Sequence, residues 1–251
     1  KLAKEGAGAE RLDAIMLLGK VNAGPTIDLA LRDLLNEKPL LVRITAYEAL
    51  AGRAERARFN RLMREQMTNP DPNAVRMNPS QLQVLAESEI PMGSIQGVSR
   101  KRMIDGFLLD RVQGGEGLVY ITQQGTPRIV VFGSDPKLMQ PIFATAWQDR
   151  LMLNCTESSG PIRVFYRDWK TGSITTEDVG PDLVKLIEFF AHKPSPEDPR
   201  PGLGMSYSEV VGALYAIHKA GGMNCNFATE RDRLMAALNA GSAGQRKERP
   251  E

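Results

Sequence analysis

The chain has two cysteines, two histidines and two tryptophans among its 251 residues, and aromatics make up only 6% of it. Cys155 and Cys225 are too few for a disulfide framework of the kind that holds small secreted domains. One bridge between them and two buried free thiols are both open, the free thiols being the simpler reading, because separation in sequence does not report bridging range. His192 and His218 belong to no recognisable metal-ligand motif, so they read as helix-end residues facing the last carbonyls. No apolar run approaches the roughly 20 residues that cross a bilayer, and membrane insertion is not expected. Thirty-two Lys and Arg against 30 Asp and Glu leave a net charge of +2. That balance does not mark the whole chain as a nucleic-acid binder, and no nucleic-acid partner is expected.

Catalytic patterns are missing as well. No Gly-x-Ser-x-Gly presents a nucleophile on a tight turn. Gly202-Leu-Gly204 and Gly221-Gly222 do not follow a strand with the Lys-Ser/Thr or third glycine of a phosphate loop. Cys225 lacks a cationic or His neighbour and reads as a packed small hydrophobe. The pairs Glu177-Asp178 and Glu197-Asp198 read as solvated residues of turns and polar connections. The chain therefore reads as non-catalytic, with no catalytic, cofactor-binding or metal-binding residue to nominate and no cofactor.

What remains is an ordinary globular composition, 42% apolar and 25% charged, with length enough for two domains. Arg11-Leu-Asp-Ala14-Ile-Met-Leu17-Leu18 is echoed by Arg43-Ile-Thr-Ala46-Tyr-Glu-Ala49-Leu50. Between them lie a turn at Asn22 to Pro25, an amphipathic run with Ile27, Leu31, Leu34 and Leu35 inward, and a turn at Lys38-Pro39. Short paired helices repeating in this way predict an α-solenoid that stacks its apolar stripes. Helices are expected over about 41–50 and 53–67, ending where Thr68-Asn-Pro-Asp-Pro-Asn73 removes backbone donors. No charged-then-apolar signal segment opens the chain, which begins inside what looks like the second helix of a repeat and reads as part of something longer.

Residues 74–105 read as a connector with one short helix after Asn78-Pro79-Ser80. From Phe107 the character changes. Leu118-Val-Tyr-Ile-Thr122 and Arg128-Ile-Val-Val-Phe132 flank Gln123-Gln-Gly125-Thr-Pro127, a hairpin signal in which Gly125 supplies the positive φ. Further strands are expected at 142–147, 150–154 and 162–167, so that an antiparallel sheet or sandwich occupies about 107–167. Helices follow at 181–192, from the capping box Ser206-Tyr-Ser-Glu209 to Lys219, and from Thr229 to about 239. The tail 241–251 is small and charged and reads as disordered. The expected fold class is thus α+β: an N-terminal HEAT-like helical solenoid (1–73), a connector (74–105), and an antiparallel β-rich domain with C-terminal helices (106–240).

One positive feature stands out. Arginines recur at 53, 56, 58, 61 and 64, and helical spacing places several guanidinium groups on one face. Arg53, Arg56, Arg61 and Arg64 form a candidate interaction face for an acidic protein or polyanion. A solvated face with ion pairs between repeats is the simpler explanation. Ser99-Arg-Lys-Arg102 is a second basic run, and no aromatics interleave with either one as on a single-strand platform.

The helical part is similar to HEAT-type repeats through Val42-Arg43, Ala46 and Ala49-Leu50. Leu118-Val-Tyr-Ile-Thr-Gln, Pro127-Arg-Ile-Val-Val-Phe-Gly133-Ser-Asp135 and Tyr207-Ser-Glu-Val-Val-Gly-Ala-Leu214 resemble, in that order, the C-terminal extension of flagellar P-ring-like proteins of planctomycete-type bacteria. The resemblance implies a structural part of a periplasmic ring at the flagellar basal body. Its expected partners are other basal-body subunits or copies of itself, bound by protein–protein contacts. An adaptor that holds an acidic protein or polyanion on the arginine face is the alternative.

Overall fold

In the computed structural model of the chain, residues 1–6, 8–21, 24–69 and 76–236 are described. The turn expected at Asn22, the prolines after Asn69 and the tail 241–251 lie wholly or partly outside them. Four helices come first: α1 (Leu2–Glu5), α2 (Gly8–Lys20), α3 (Pro25–Leu34) and α4 (Leu40–Thr68). Pro25 opens α3, where its fixed φ suits the first turn and its missing N–H costs nothing. α2 turns Leu12, Ile15 and Gly19 inward. A Cβ on Gly19 would sit 3.0 Å from that of Ala49, so glycine lets α2 lie close against α4.

The 29-residue α4 joins the two helices expected at 41–50 and 53–67. Gly52, between them, has too small a helix penalty, about 1 kcal/mol, to break a helix packed along one side. α5 (Pro79–Ser88) follows, opened by a capping box between Asn78 and Gln81. The expected short helix is there.

Nine strands form two sheets. β1 (Val98–Arg102), β2 (Leu108–Val112), β3 (Leu118–Thr122) and β4 (Arg128–Phe132) belong to the first. β5 (Ile142–Ala146), β6 (Leu151–Cys155), β7 (Ile162–Arg167) and β8 (Ile174–Val179) form the second, in that order and antiparallel throughout. α6 (Leu183–Ala191), α7 (Tyr207–Lys219) and β9 (Asn226–Thr229) follow, and 230–236 are helical. The hairpin turns at Gly125, whose φ is +68°. The capping box at Ser206 and Glu209 opens α7.

The expected fold class needs correction on three counts. First, the repeated phrases do not occupy equivalent places. In α2, Met16 and Leu17 are exposed, whereas α4 is buried from Val42 to Ala51 except at Glu48. One side of α4 meets α2 and α3, and the other lies on the first sheet. Side chains from α2, α3 and α4 share a core with Val112, Leu118, Tyr120, Val130 and Phe132 of that sheet. Sequence periodicity records the inward stripe of a helix but not what covers its other side, so the echo mimics a solenoid. Second, the first sheet is mixed, in the order β1-β2-β4-β3-β9. β2 runs parallel to β4, and β3 parallel to β9. Third, strands lie outside the expected range. β1 falls in the connector, β8 includes Glu177 and Asp178, and β9 follows α7. β8 reads in the sequence as turn and polar connection because its exposed and half-buried positions carry no apolar alternation.

The opposite face of the first sheet carries Phe107, Leu109, Val119, Ile121, Ile129 and Val131, packed with α6, α7 and the second sheet. The first sheet therefore lies between two apolar layers. Alternation of side chains along each strand serves both: Val119 and Ile121 face one layer, Leu118 and Tyr120 the other. All five residues of β3 are buried, and so are all five of β4. That unbroken burial is why these strands read as continuous apolar runs.

Candidate functional site

Arg53, Arg56, Arg61 and Arg64 of α4 line one groove, with Asp28 of α3, Asn60 and Ser94, enclosing about 400 Å³. Helical spacing of the four residues places them along a single face, and the ends of α2 and α3 supply the facing wall. The four guanidinium groups have different tasks. Arg53 Nε donates to Asp28 Oδ1 at 2.6 Å, and its Nη1 donates to Leu18 O at 3.2 Å and to Val21 O. Arg56 donates to Gly19 O. These two arginines thus satisfy carbonyls that the C-terminal end of α2 leaves without helical partners, and their charge meets the negative end of its dipole.

Arg64 Nε makes only a 3.3 Å bond back to Asn60 O. Arg61 makes no hydrogen bond or ion pair with a described residue, and both side chains are exposed. One carboxylate, that of Asp28, stands among four guanidinium groups. The groove keeps a positive surplus, with Arg61 and Arg64 unengaged by any acid among the described residues. Arg58 lies outside the groove lining.

Sequence reading missed a second charged centre, where α4 and α5 meet the first sheet. Glu55 of α4 is buried there. Arg100 donates from Nε and Nη2 to Asp110 Oδ1 and Oδ2 at 2.8 and 2.6 Å, and from Nη1 to Glu55 Oε1 at 2.7 Å. Arg128 takes the other side of Glu55, with bonds of 2.8 and 3.2 Å, and lies 3.5 Å from Glu87. Tyr47 OH donates to Asp110 Oδ2 at 2.5 Å. The one signal in the sequence is Asp110 itself, a carboxylate inside the apolar strand Leu-Leu-Asp-Arg-Val. Desolvation, then the charge of Asp110, pushes the Tyr47 phenol far above its ordinary value. Burial opposes the Arg100 charge, but its hydrogen bonds and the charge of Asp110 outweigh that and hold it firmly protonated. This lattice of three carboxylates and two guanidinium groups joins helix to sheet. Its carboxylates are already engaged, so it offers no free base or nucleophile.

Glu87 joins this centre through Arg128. Burial would raise its pKa, but bonds from Gln83 Nε2 at 2.8 Å and Thr126 N at 2.7 Å favour the carboxylate and bring it below the ordinary value. A depressed carboxylate contributes stability that is present above about pH 4.3, its unfolded pKa, and lost as pH falls through the folded one. Hydrogen-exchange protection at Thr126 and along α5, taken relative to the intrinsic rate at each pH, is therefore expected to fall as pH drops below that range. Glu87→Gln should abolish this acid-dependent loss.

His192 caps α6, its N–H bonded to Glu188 O, and His218 stacks on Phe227 at 5.7 Å near the end of α7. Both cysteines are free and buried, and burial raises the Cys225 thiol to about 11. Among the described residues, no group of three or more His, Cys, Asp or Glu side chains is placed to hold a metal ion, and no helix is long and apolar enough to cross a membrane. No protein-family model matches this chain, and neither a curated protein nor a solved structure matches it.

Proposed function

We propose that this chain is a non-catalytic protein-interaction unit that holds an acidic protein segment in the arginine groove of α4. The observation that carries this reading is the placement of four guanidinium groups around one opening, with a single carboxylate among them. Arg53 and Arg56, fixed on the carbonyls of α2, form a positive back wall. Arg61 and Arg64 reach outward from the same face and are free to meet carboxylates. Arginine suits that task because its planar fork pairs with a carboxylate through two bonds.

Titration with a fluorescent Glu/Asp-rich peptide at low and at physiological salt tests the proposal. Binding is expected at low salt and should weaken as salt rises, because exposed charges are screened beyond about 8–10 Å. Arg61→Glu with Arg64→Glu should weaken it by about tenfold or more, with the fold unchanged, since neither side chain supports another element. No binding at low salt, or binding that this variant leaves intact, would remove the reading. Tighter binding to a nucleic acid than to the peptide would do the same.

The phrases from Leu118 to Asp135 and from Tyr207 to Leu214 support a setting for that partner: a periplasmic ring assembly of the flagellar basal body. Purified basal bodies that contain the protein would support the setting, and basal bodies lacking it would rule it out.

A further inference from the structure

Each sheet ends on a strand with one open side, and two of these open sides carry opposite charge. In β1, alternate residues bond to β2. Met103 pairs with Phe107 and Gly97 with Gln113, in a register that sets Lys101 against Leu109. Antiparallel alternation therefore turns the N–H and C=O of Arg100 and Arg102 outward. In β8, Asp168 N donates to Ser173 O, and Thr175 and Glu177 lie opposite Tyr166 and Val164. The same alternation turns the backbone of Ile174, Thr176 and Asp178 outward. Neither strand has a second neighbour in its sheet, and among the described residues neither outward edge has a backbone partner.

We propose that the β8 edge of one copy of this chain adds, antiparallel, to the β1 edge of the next. Lys101 and Arg102 make the β1 edge basic, the charge of Arg100 being met within the fold by Asp110 and Glu55, and Glu177 and Asp178 make the β8 edge acidic. Bringing the outward-facing residues together sets Arg100 opposite Asp178 and Arg102 opposite Thr176. That register places Lys101 opposite Glu177. Ile174, 56% exposed at the start of β8, then lies beside the turn that follows β1.

The α6 side of β1 is not closely packed. A cavity of about 410 Å³ lies beside β1, between Lys101 to Ile104 and the α6 side chains Glu188 and Phe189. The pairs that now engage Lys101 and Asp178, Lys101 with Glu188 at 2.8 Å and Arg163 with Asp178 at 3.1 Å, are solvent-exposed and exchange readily, while Arg100 keeps its buried bonds to Asp110 and Glu55. Like edges are disfavoured: β1 on β1 opposes Arg and Lys with Arg and Lys, and β8 on β8 gathers the carboxylates of both copies. The pairing joins different edges, so each copy keeps one of each kind free. Addition then continues, to a closed ring or an open filament. The inference uses no residue of the arginine groove and stands without it.

Sedimentation of the full chain across micromolar concentrations, at low and high salt, tests it. The weight-average mass should rise above the 27.6 kDa of one chain as concentration increases, and fall back with salt. K101E/R102E and E177K/D178K should each weaken association by about tenfold or more. Mixing the two variants should restore it, because their edges are complementary again. If circular dichroism shows that E177K/D178K is unfolded, Thr176→Pro takes its place, and Arg102→Pro takes that of K101E/R102E, since each deletes an outward N–H and spares the bonds to the neighbouring strand. A wild-type chain that stays monomeric throughout overturns the proposal. So does association that the folded variants leave unchanged, or a mixture of folded variants that stays monomeric.

Discussion

Replacing Asp110 by alanine is expected to destabilise the chain by about 3–5 kcal/mol, the usual result of removing one partner from a buried ion pair. Asp110 has no exposed surface and receives two bonds from Arg100 and one from Tyr47. Its loss strands two guanidinium nitrogens and a phenol where water cannot replace the missing acceptors. Asp110→Asn keeps one acceptor in place and should cost less, while Tyr47→Phe removes only a single bond. The urea midpoint measures all three, and an Asp110→Ala midpoint within error of the parent would show that the cluster contributes nothing net. Converting the whole lattice to apolar residues is a different experiment. It can be neutral, because the desolvation cost of the charges disappears with them.

Phe132→Ala should cost a similar amount, about 3–5 kcal/mol, by leaving a cavity in the seam between helices and sheet. The ring is fully buried at the end of β4, edge-on to Tyr47 with centroids 6.0 Å apart. The buried Arg43 guanidinium lies over it at 5.9 Å and donates to the Glu116 carbonyl. Truncation therefore removes packing from α4 and from the platform beneath a buried cation. Because the helices and the sheet share this core, far-UV dichroism and tyrosine fluorescence should report one transition, shifted as a whole. Separate transitions for helix and sheet signals would show that the seam does not couple them.

Local chemistry made much of the fold readable. The Gly125 hairpin, the capping boxes at Asn78 and Ser206 and the alternation of Ile162, Val164 and Tyr166 all act within a few residues, so sequence exposes them. Strands stabilised from a distance were not readable. β9 is four residues, Asn-Phe-Ala-Thr, held by β3 more than a hundred positions earlier. β1 reads as a basic run because Arg100 is neutralised by Glu55 and Asp110, partners from two other elements. The arginine groove lies between these extremes. Spacing along one helix put its four residues on a face, but only the fold shows that α2 ends against Arg53 and Arg56 and leaves Arg61 and Arg64 outward. The buried charge centre was hidden because each of its members looks like an ordinary surface residue in its own segment.

The arrival of β9 also sets an order in time. β3 lies between β4 and β9 in the first sheet, and one of its flanks stays uncovered until residues 226–229 have been synthesised. While the ribosome is still making the second sheet and its two following helices, a nascent chain presents an apolar strand with an open side. Chaperone shelter during synthesis, or a pause that delays emergence of Leu118 to Phe132, would serve this protein more than one whose sheets close in the order they are made.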